Sequence, residues 1–485
     1  MKRTIKIISI ILTVIMFFSV FSAANPVIAA EVQEKEEAEI SVKTLVENLQ
    51  EENKTNALTE IIDERDRYTK VFKTNNGTKK AVVSATPIHY KENGEWLEID
   101  NTLIDSKDDD CYSNRENAFT ASIPKELSAG SEIKLEKEGY SIVFELAGTD
   151  IFEANNKSKG KKKGKKSDEI FSISNNIDFD ISDKQDSLTF ENIGENTSVE
   201  YSVIPTGIKE NIILNKQPKT DVIYNYKITA EKLKAELNTD NSVTFTTNAG
   251  SIIFEISAPI MYDSKGNVSC DIEVALVYEN STYILTYKPS YEWLKNTAKY
   301  PVVIDPVINT LESDFSLADS SVSDSDLTGN YGNNIDLYTG YLSKKEYISY
   351  IDISGNRILD CGLAIKNVSL YLYTNFVISP SNIPNFEVAA YPIVDKWSES
   401  EITYSDKPSL DTSILLDKRA YDGNSSGRYS VYDVTEAFTS NSNEYNGIAL
   451  TMACTDTTTD GCVVIFAASE YGDTARCPYF VVEYY

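Results

Sequence analysis

The chain has 485 residues, of which 74 are Asp or Glu and 46 Lys or Arg, with one histidine and six cysteines. A net charge of −28 at pH 7 opposes grip on phosphate backbones and anionic lipid, which comes from clustered Lys and Arg, so nucleic acid is excluded as a partner. A single histidine excludes a multi-histidine metal centre and leaves His89 as the one candidate for any histidine-dependent triad.

The first thirty residues carry Lys2, Arg3 and Lys6, an apolar run from Ile7 to Ala24, then Pro26 and the small residues Ala29 and Ala30. That order predicts a secretory signal peptide over 1–30, so the mature chain is expected to be secreted, extracellular or associated with the cell envelope, with no membrane partner after cleavage. The leader holds three basic residues and no acids, and its loss takes the net charge to about −31. Export permits disulfides without demanding them. Cys454 and Cys462 flank the turn-like Asp456–Gly461, where a hairpin-closing bridge and two buried thiols are both open readings.

Residues 31–68 are acidic, with an irregular apolar stripe at Leu45, Val46, Leu49, Leu58, Ile61 and Ile62, and are expected to form a helical or disordered arm. From 69 to 306 the pattern changes to strands. Val82, Ser84 and Ile88 lead to the turn Glu92-Asn93-Gly94, and Trp96 to Ile99 alternates as a half-buried strand does. The same alternation recurs at Tyr140–Phe144, Ile177–Ile181, Val199–Val203 and Ile223–Ile228, so this stretch is expected to be an all-β spacer or platform. Within it, Lys157–Lys166 holds seven lysines in ten residues and no apolar side chain, which predicts a solvated loop over 157–166. Tyr300–Pro306 reads as a strand ended by proline, after which Asp, Ser, Gly and Asn dominate; a boundary is placed there, leaving 307–485 as a β-sandwich of its own.

The chemistry of catalysis is missing from the pattern. His89 lies in a strand-like run beside Pro87 and Tyr90, where a structural hydrogen bond is its expected role, and Asp108-Asp109-Asp110 would raise the pKa of Cys111 and blunt any thiol nucleophile. Acidic pairs of the kind that hydrolyse glycosides need no local motif, and none singles itself out. Asp324-Ser325-Asp326-Leu327-Thr328-Gly329 begins like a calcium loop, yet its twelfth position is Ile335 rather than an acid. The expectation is therefore no enzyme and no cofactor, with calcium kept open.

Six short pieces recur in order through the last region. They are Asn330-Tyr331-Gly332, the strand-like Glu346–Ser354, Asn367–Tyr371, Trp397-Ser398-Glu399 with Ile402-Thr403-Tyr404 and Pro408, Asp433-Val434-Thr435, and Asn446–Leu450 with the ending Pro478–Tyr485. Their order resembles the DNRLRE-type module, also classed as carbohydrate-binding module family 96, of exported bacterial proteins. The middle region, with Pro87–Lys91, Gly94-Glu95-Trp96, Gly207–Ile212 and Tyr300–Pro306, resembles the β segment that precedes such modules in wall-associated and Rhs-like proteins. The resemblance implies an all-β protein whose β-rich middle region is followed by a C-terminal jelly-roll-like β-sandwich that binds polysaccharide or cell-wall glycan without catalysis. Glu346 and Tyr350 stand where the family strand carries bases, which favours a neutral glycan. Sugars are held by aromatic faces and polar side chains, and the candidates are Tyr338, Tyr341, Tyr347, Tyr350 and Trp397. Tyr371 and Tyr373, two apart on one strand, must share a face. The rival readings are a structural or adhesive surface protein without a sugar site, and a polysaccharide-degrading enzyme with an unidentified carboxylate pair.

Overall fold

The computed structural model describes residues 59–485 apart from 107–109, 148–157, 160, 164–185, 195, 265–267, 311–316, 333, 354–355, 361–363, 381–382, 384, 440–444, 454–460 and 472–475. The expected leader, most of the arm, the alternating run 177–181 and Cys454 lie outside these residues. What is described is all-β, as the alternation requires, and Asn56–Tyr485 forms one compact unit.

Two antiparallel sheets face each other in the middle of the chain. One contains the hairpin Glu132–Lys137 and Tyr140–Ala147, next to Tyr224–Glu231 and the hairpin Ile272–Glu279 and Thr282–Pro289. The other is built on Ser187–Gly194, Thr197–Ile204 and Gly207–Leu214, each pairing with the next. Alternation sends Ile142, Phe144, Tyr226 and Leu285 inward from the first sheet to meet Phe190, Tyr201, Ile212 and Phe254 of the second. Asn93 (φ 50°) and Gly94 (φ 92°) turn the hairpin His89–Glu92 and Glu95–Glu98, as the Asn-Gly pair predicts. His89 is fully buried and its Nδ1 lies 2.6 Å from the Asp66 carbonyl, a structural hydrogen bond; burial pushes its pKa down to about 4, so the ring is neutral.

The last region curls a larger sheet around a second core. Its organising element is the 14-residue strand Ile365–Ile378, whose first half pairs with the closing strand Tyr479–Tyr484 and with Arg428–Asp433, and whose second half pairs with Val463–Ala467. A register shift between Thr374 and Phe376 bends it from one set of partners to the next. Val368, Leu370, Leu372, Tyr432, Phe466 and Phe480 fill the space so enclosed. Glycine is required at Gly447, in the Asn-Gly-Ile piece, because φ is 105° and a Cβ would come within 2.4 Å of the Ile351 carbonyl oxygen.

Three placements differ from the sequence reading. Thr69–Lys73 and Lys79–Ser84, assigned by composition to the middle region, belong to the last sheet: Lys79–Ser84 pairs along its whole length with Tyr479–Tyr484, and Val71, Ala81 and Val83 enter the second core. Val307–Asn309, beyond the Pro306 boundary, pairs back onto Gly207–Lys209. In the basic island, Ser158–Lys159 pairs with Glu126–Leu127 and Lys161–Lys163 with Ser187–Thr189, so backbone pairing claims part of a segment expected to be a loop. Such pairing uses no side-chain signal, which is why composition missed it.

Two outcomes follow. A chain beginning at residue 307 leaves one edge of Tyr479–Tyr484 unpaired and its core open; it is expected to aggregate or melt without a cooperative transition, whereas a chain beginning at Thr59 unfolds cooperatively, by size-exclusion chromatography and thermal scans. Lys209 and Asp305 form a buried ion pair at 2.6 Å. Lys209→Met strands the Asp305 carboxylate and is expected to cost about 3–5 kcal/mol in denaturant unfolding.

Candidate functional site

The motif pieces of the last region converge on one another. The segment from Ile393 to Leu410 has no strand of its own and lies over the outer face of the sheet, where Ile393 and Ile402 are buried with Val322, Ile348, Tyr350 and Ala449, and Trp397 packs at the margin. Hydrogen bonds hold it down. Asn330 donates its side-chain amide to the carbonyls of Glu399 (2.7 Å) and Ile402 (2.9 Å), the Trp397 indole N–H donates to the Asn446 carbonyl (2.9 Å), and Asn446 donates to the Val394 carbonyl (2.8 Å). Gly332 is glycine because a Cβ would come within 2.4 Å of the Glu399 carbonyl oxygen. Thr435 accepts the Val368 N–H at 2.9 Å.

This placement settles several of the aromatic candidates. Tyr350 is wholly buried, its ring 5.9 Å from that of Trp397, and has no face left for a sugar; Trp397 is half-buried with its N–H already used. Tyr350 belongs to the small core under the Ile393–Leu410 segment, a correction to its nomination as a ligand contact, and Trp397 packs against the same core. Tyr341 donates its hydroxyl to Glu346 at 3.1 Å, and Tyr404 donates to the other oxygen of the same carboxylate at 2.9 Å. Tyr338 and Tyr347 are half-buried and pack against each other at 5.9 Å. Asp326 organises its own turn, accepting from the N–H groups of Thr328 and Gly329 and from the Tyr331 hydroxyl.

A different aromatic row stands on the face opposite the second core. Leu370 and Leu372 point inward, so Tyr371 and Tyr373 point outward; Tyr429 and Tyr479 join them from the two flanking strands. Tyr371 stacks on Tyr479 at 4.5 Å and 12°, and Tyr429 stands edge-on to Tyr373 at 5.2 Å. The Arg476 guanidinium lies 4.7 Å over Tyr373 and 5.9 Å from Tyr471. Tyr371, Tyr373 and Tyr429 are half-buried, leaving ring area at the surface.

Tyr471 also lines a cleft of about 320 Å³ at the joint between the two cores. Its walls are Ile204–Thr206, Ser257, Ala258 and Asn309 on one side, Glu399, Glu470 and Tyr471 on the other, with Tyr68 and Thr86 at the rim and the Lys209–Asp305 pair on the wall. Behind it three carboxyl groups meet. Asp319 donates its backbone N–H to Glu399 at 2.7 Å, its own carboxylate accepts the Ser469 N–H at 2.9 Å, and Ser469 donates its hydroxyl to Glu470. Burial pushes all three carboxyls up, Asp319 to about 7 and Glu399 to about 8, and the charge of Asp319 adds to the rise of Glu399 and Glu470. Asp336 nearby is pushed up to about 6, again by burial.

Residues 313–484 match carbohydrate-binding module family 96. The matched segment contains all four tyrosines of the row together with Glu399, Glu470 and Tyr471, while the other wall of the cleft comes from strands before it. Over 400 residues the chain is 23% identical to the tRNA3(Ser)-specific nuclease WapA of Bacillus spizizenii and 22% identical to the tRNA nuclease WapA of Bacillus subtilis; each match covers 78% of this chain and 16% of the relative. It is 28% identical over 219 residues to a wall-associated protein of Geobacillus stearothermophilus, covering 42% of this chain and 75% of that one. Among the described residues no helix is long and apolar enough to cross a membrane.

Sequence reasoning paired Tyr371 with Tyr373 but could not see Tyr429, Tyr479 or Arg476 beside them. The available signal was the outward phase of Tyr429 and Val431 against inward Tyr432, which names a face only once the strand partner is known.

The raised carboxyls make stability depend on pH. Each folded pKa lies above its unfolded value, so the native state holds more protons between about pH 4 and pH 8, and stability is full at the bottom of that window and lost as pH rises through it. Thermal unfolding is expected to move to lower temperature from about pH 5 to about pH 8.5, and Glu399→Gln, which needs no proton, to flatten that slope.

Proposed function

We propose that this chain binds polysaccharide at the cell envelope or in its surroundings, without catalysis, through the tyrosine row of the family-96 segment. The observation that carries the reading is the outward-facing set Tyr371, Tyr373 and Tyr429, half-buried rings that meet edge-to-face and leave aromatic area at the surface, with the Arg476 guanidinium over Tyr373. Sugar rings present C–H faces that pack on such surfaces and hydroxyls that take up polar groups at their edge. The family match supports the ligand class, and the relative named as wall-associated supports an envelope setting. Export rests on the leader-like first thirty residues. The nuclease relatives are matched over 16% of their length, and the nuclease activity in their names is not carried to this chain.

The test is retention of the purified full chain on insoluble and immobilised polysaccharides, peptidoglycan and alginate included, with and without EDTA. Saturable retention, competed by the matching oligosaccharide and indifferent to EDTA, is expected. The double variant Tyr373→Ala, Tyr429→Ala should weaken it about tenfold, or about 1.4 kcal/mol. Failure of folded protein on every surface sinks the reading and leaves a structural or adhesive role.

A further inference from the structure

The cleft at the joint has features the tyrosine row lacks. Its volume, about 320 Å³, falls at the lower end of the range of small-ligand sites. Two buried carboxylate oxygens on its lining residues, Asp305 Oδ1 and Glu470 Oε2, have no hydrogen-bond partner, and the Asp305 side chain is only 2% exposed. Buried polar atoms left unpaired cost about 1–3 kcal/mol each, so a native structure that keeps two in one cavity calls for a hydrogen-bonding partner there. Tyr68 and Tyr471 bring rings to the same space. Arg476 links the cleft to the tyrosine row, its guanidinium lying 5.9 Å from the ring of the cleft residue Tyr471 and 4.7 Å over Tyr373.

The chemistry of the walls restricts what that partner can be. Glu255, Asp305, Glu399 and Glu470 all line the cavity, and the one cation among its described lining residues, Lys209, is already paired with Asp305. A uronate would set its carboxylate among these acids. A ring bearing several hydroxyls and no charge supplies groups that both donate and accept to the unpaired oxygens, and a C–H face to the tyrosines.

We infer that the cleft is a second sugar subsite, composite between the family-96 segment and the strands before it, and that it takes a neutral sugar unit of the same chain that lies along the tyrosine row. This rests on the polysaccharide-binding reading. It makes the preceding strands part of the binding surface, and it makes the cleft the point at which neutral and uronate polymers are told apart.

The experiment is isothermal titration of the full chain with cellotetraose, laminaritetraose, an N-acetylglucosamine tetramer and a guluronate tetramer, for wild type, Ala258→Trp, Glu470→Gln and Tyr373→Ala. Ala258 lies on the wall contributed from outside the family-96 segment, away from the row, and a tryptophan there fills the cavity. At least one neutral tetramer is expected to bind, with Ala258→Trp and Glu470→Gln each weakening it tenfold or more and guluronate binding at least tenfold more weakly than the neutral ligand. Thermal scans verify folding, and Glu470→Gln keeps shape if the larger substitution disturbs it. Neutral binding lost in Tyr373→Ala but unchanged in both cleft variants overturns the subsite and spares the polysaccharide reading. Preference for guluronate overturns the ligand class, and no binding of any glycan by folded protein overturns both readings.

Discussion

The fold hangs on the pairing of Tyr479–Tyr484. This last strand lies between Lys79–Ser84, from the start of the described chain, and Ile365–Tyr371, and it is antiparallel to both. Its inward residues Phe480 and Val482 are fully buried among Val83, Val368 and Leu370, and side chains of this kind stabilise by about 1.5–3 kcal/mol each when removed from water. Chain closure of this kind, about 400 residues apart in sequence, is slow to form because loop entropy precedes the contact. Once made, it brings the strands before and after the middle sandwich into one sheet, which explains why a composition-based boundary at Pro306 separates what the hydrogen bonds join.

The second constraint is the coverage of the outer sheet face by Ile393–Leu410. A segment without regular structure must satisfy its backbone groups through side chains, and the residues that do so are Asn330, Trp397 and Asn446, with Gly332 allowing close approach. The most recognisable letters of the sequence are therefore scaffold. That physical role separates recognisability from ligand contact, and it is the reason the tryptophan and the buried Tyr350 look like sugar ligands in the sequence and are packing residues in the molecule.

Legibility followed the range of the interaction. Local signals were readable: the Asn93-Gly94 hairpin, the alternation of Thr197–Ile204 and Tyr224–Glu231, and the structural burial of His89 all depend on neighbours a few residues apart. The all-β class followed from their sum. Long-range pairing was not readable. Nothing in Lys79-Lys80-Ala81-Val82-Val83-Ser84 names Tyr479–Tyr484 as its partner, and nothing in Tyr429 or Arg476 announces that both will stand beside Tyr373. The cleft was invisible for the same reason, because its walls come from stretches of chain as far apart as Tyr68 and Tyr471.

Electrostatics links the cleft to the stability of the joint. Asp319, Glu399 and Glu470 meet where the two cores abut, and burial raises each of them, so near neutral pH the joint is held with protons on groups that would repel when ionised. Such an arrangement costs stability that apolar packing would not, and buried carboxyls with raised pKa values gather where a binding function uses them. A hydroxyl-bearing ligand in the cleft binds only the native joint, so it stabilises that joint in proportion to its occupancy. Ligand and proton therefore each favour the native contact between the middle sandwich and the last sheet, the one by filling the cleft and the other by neutralising the acids behind it.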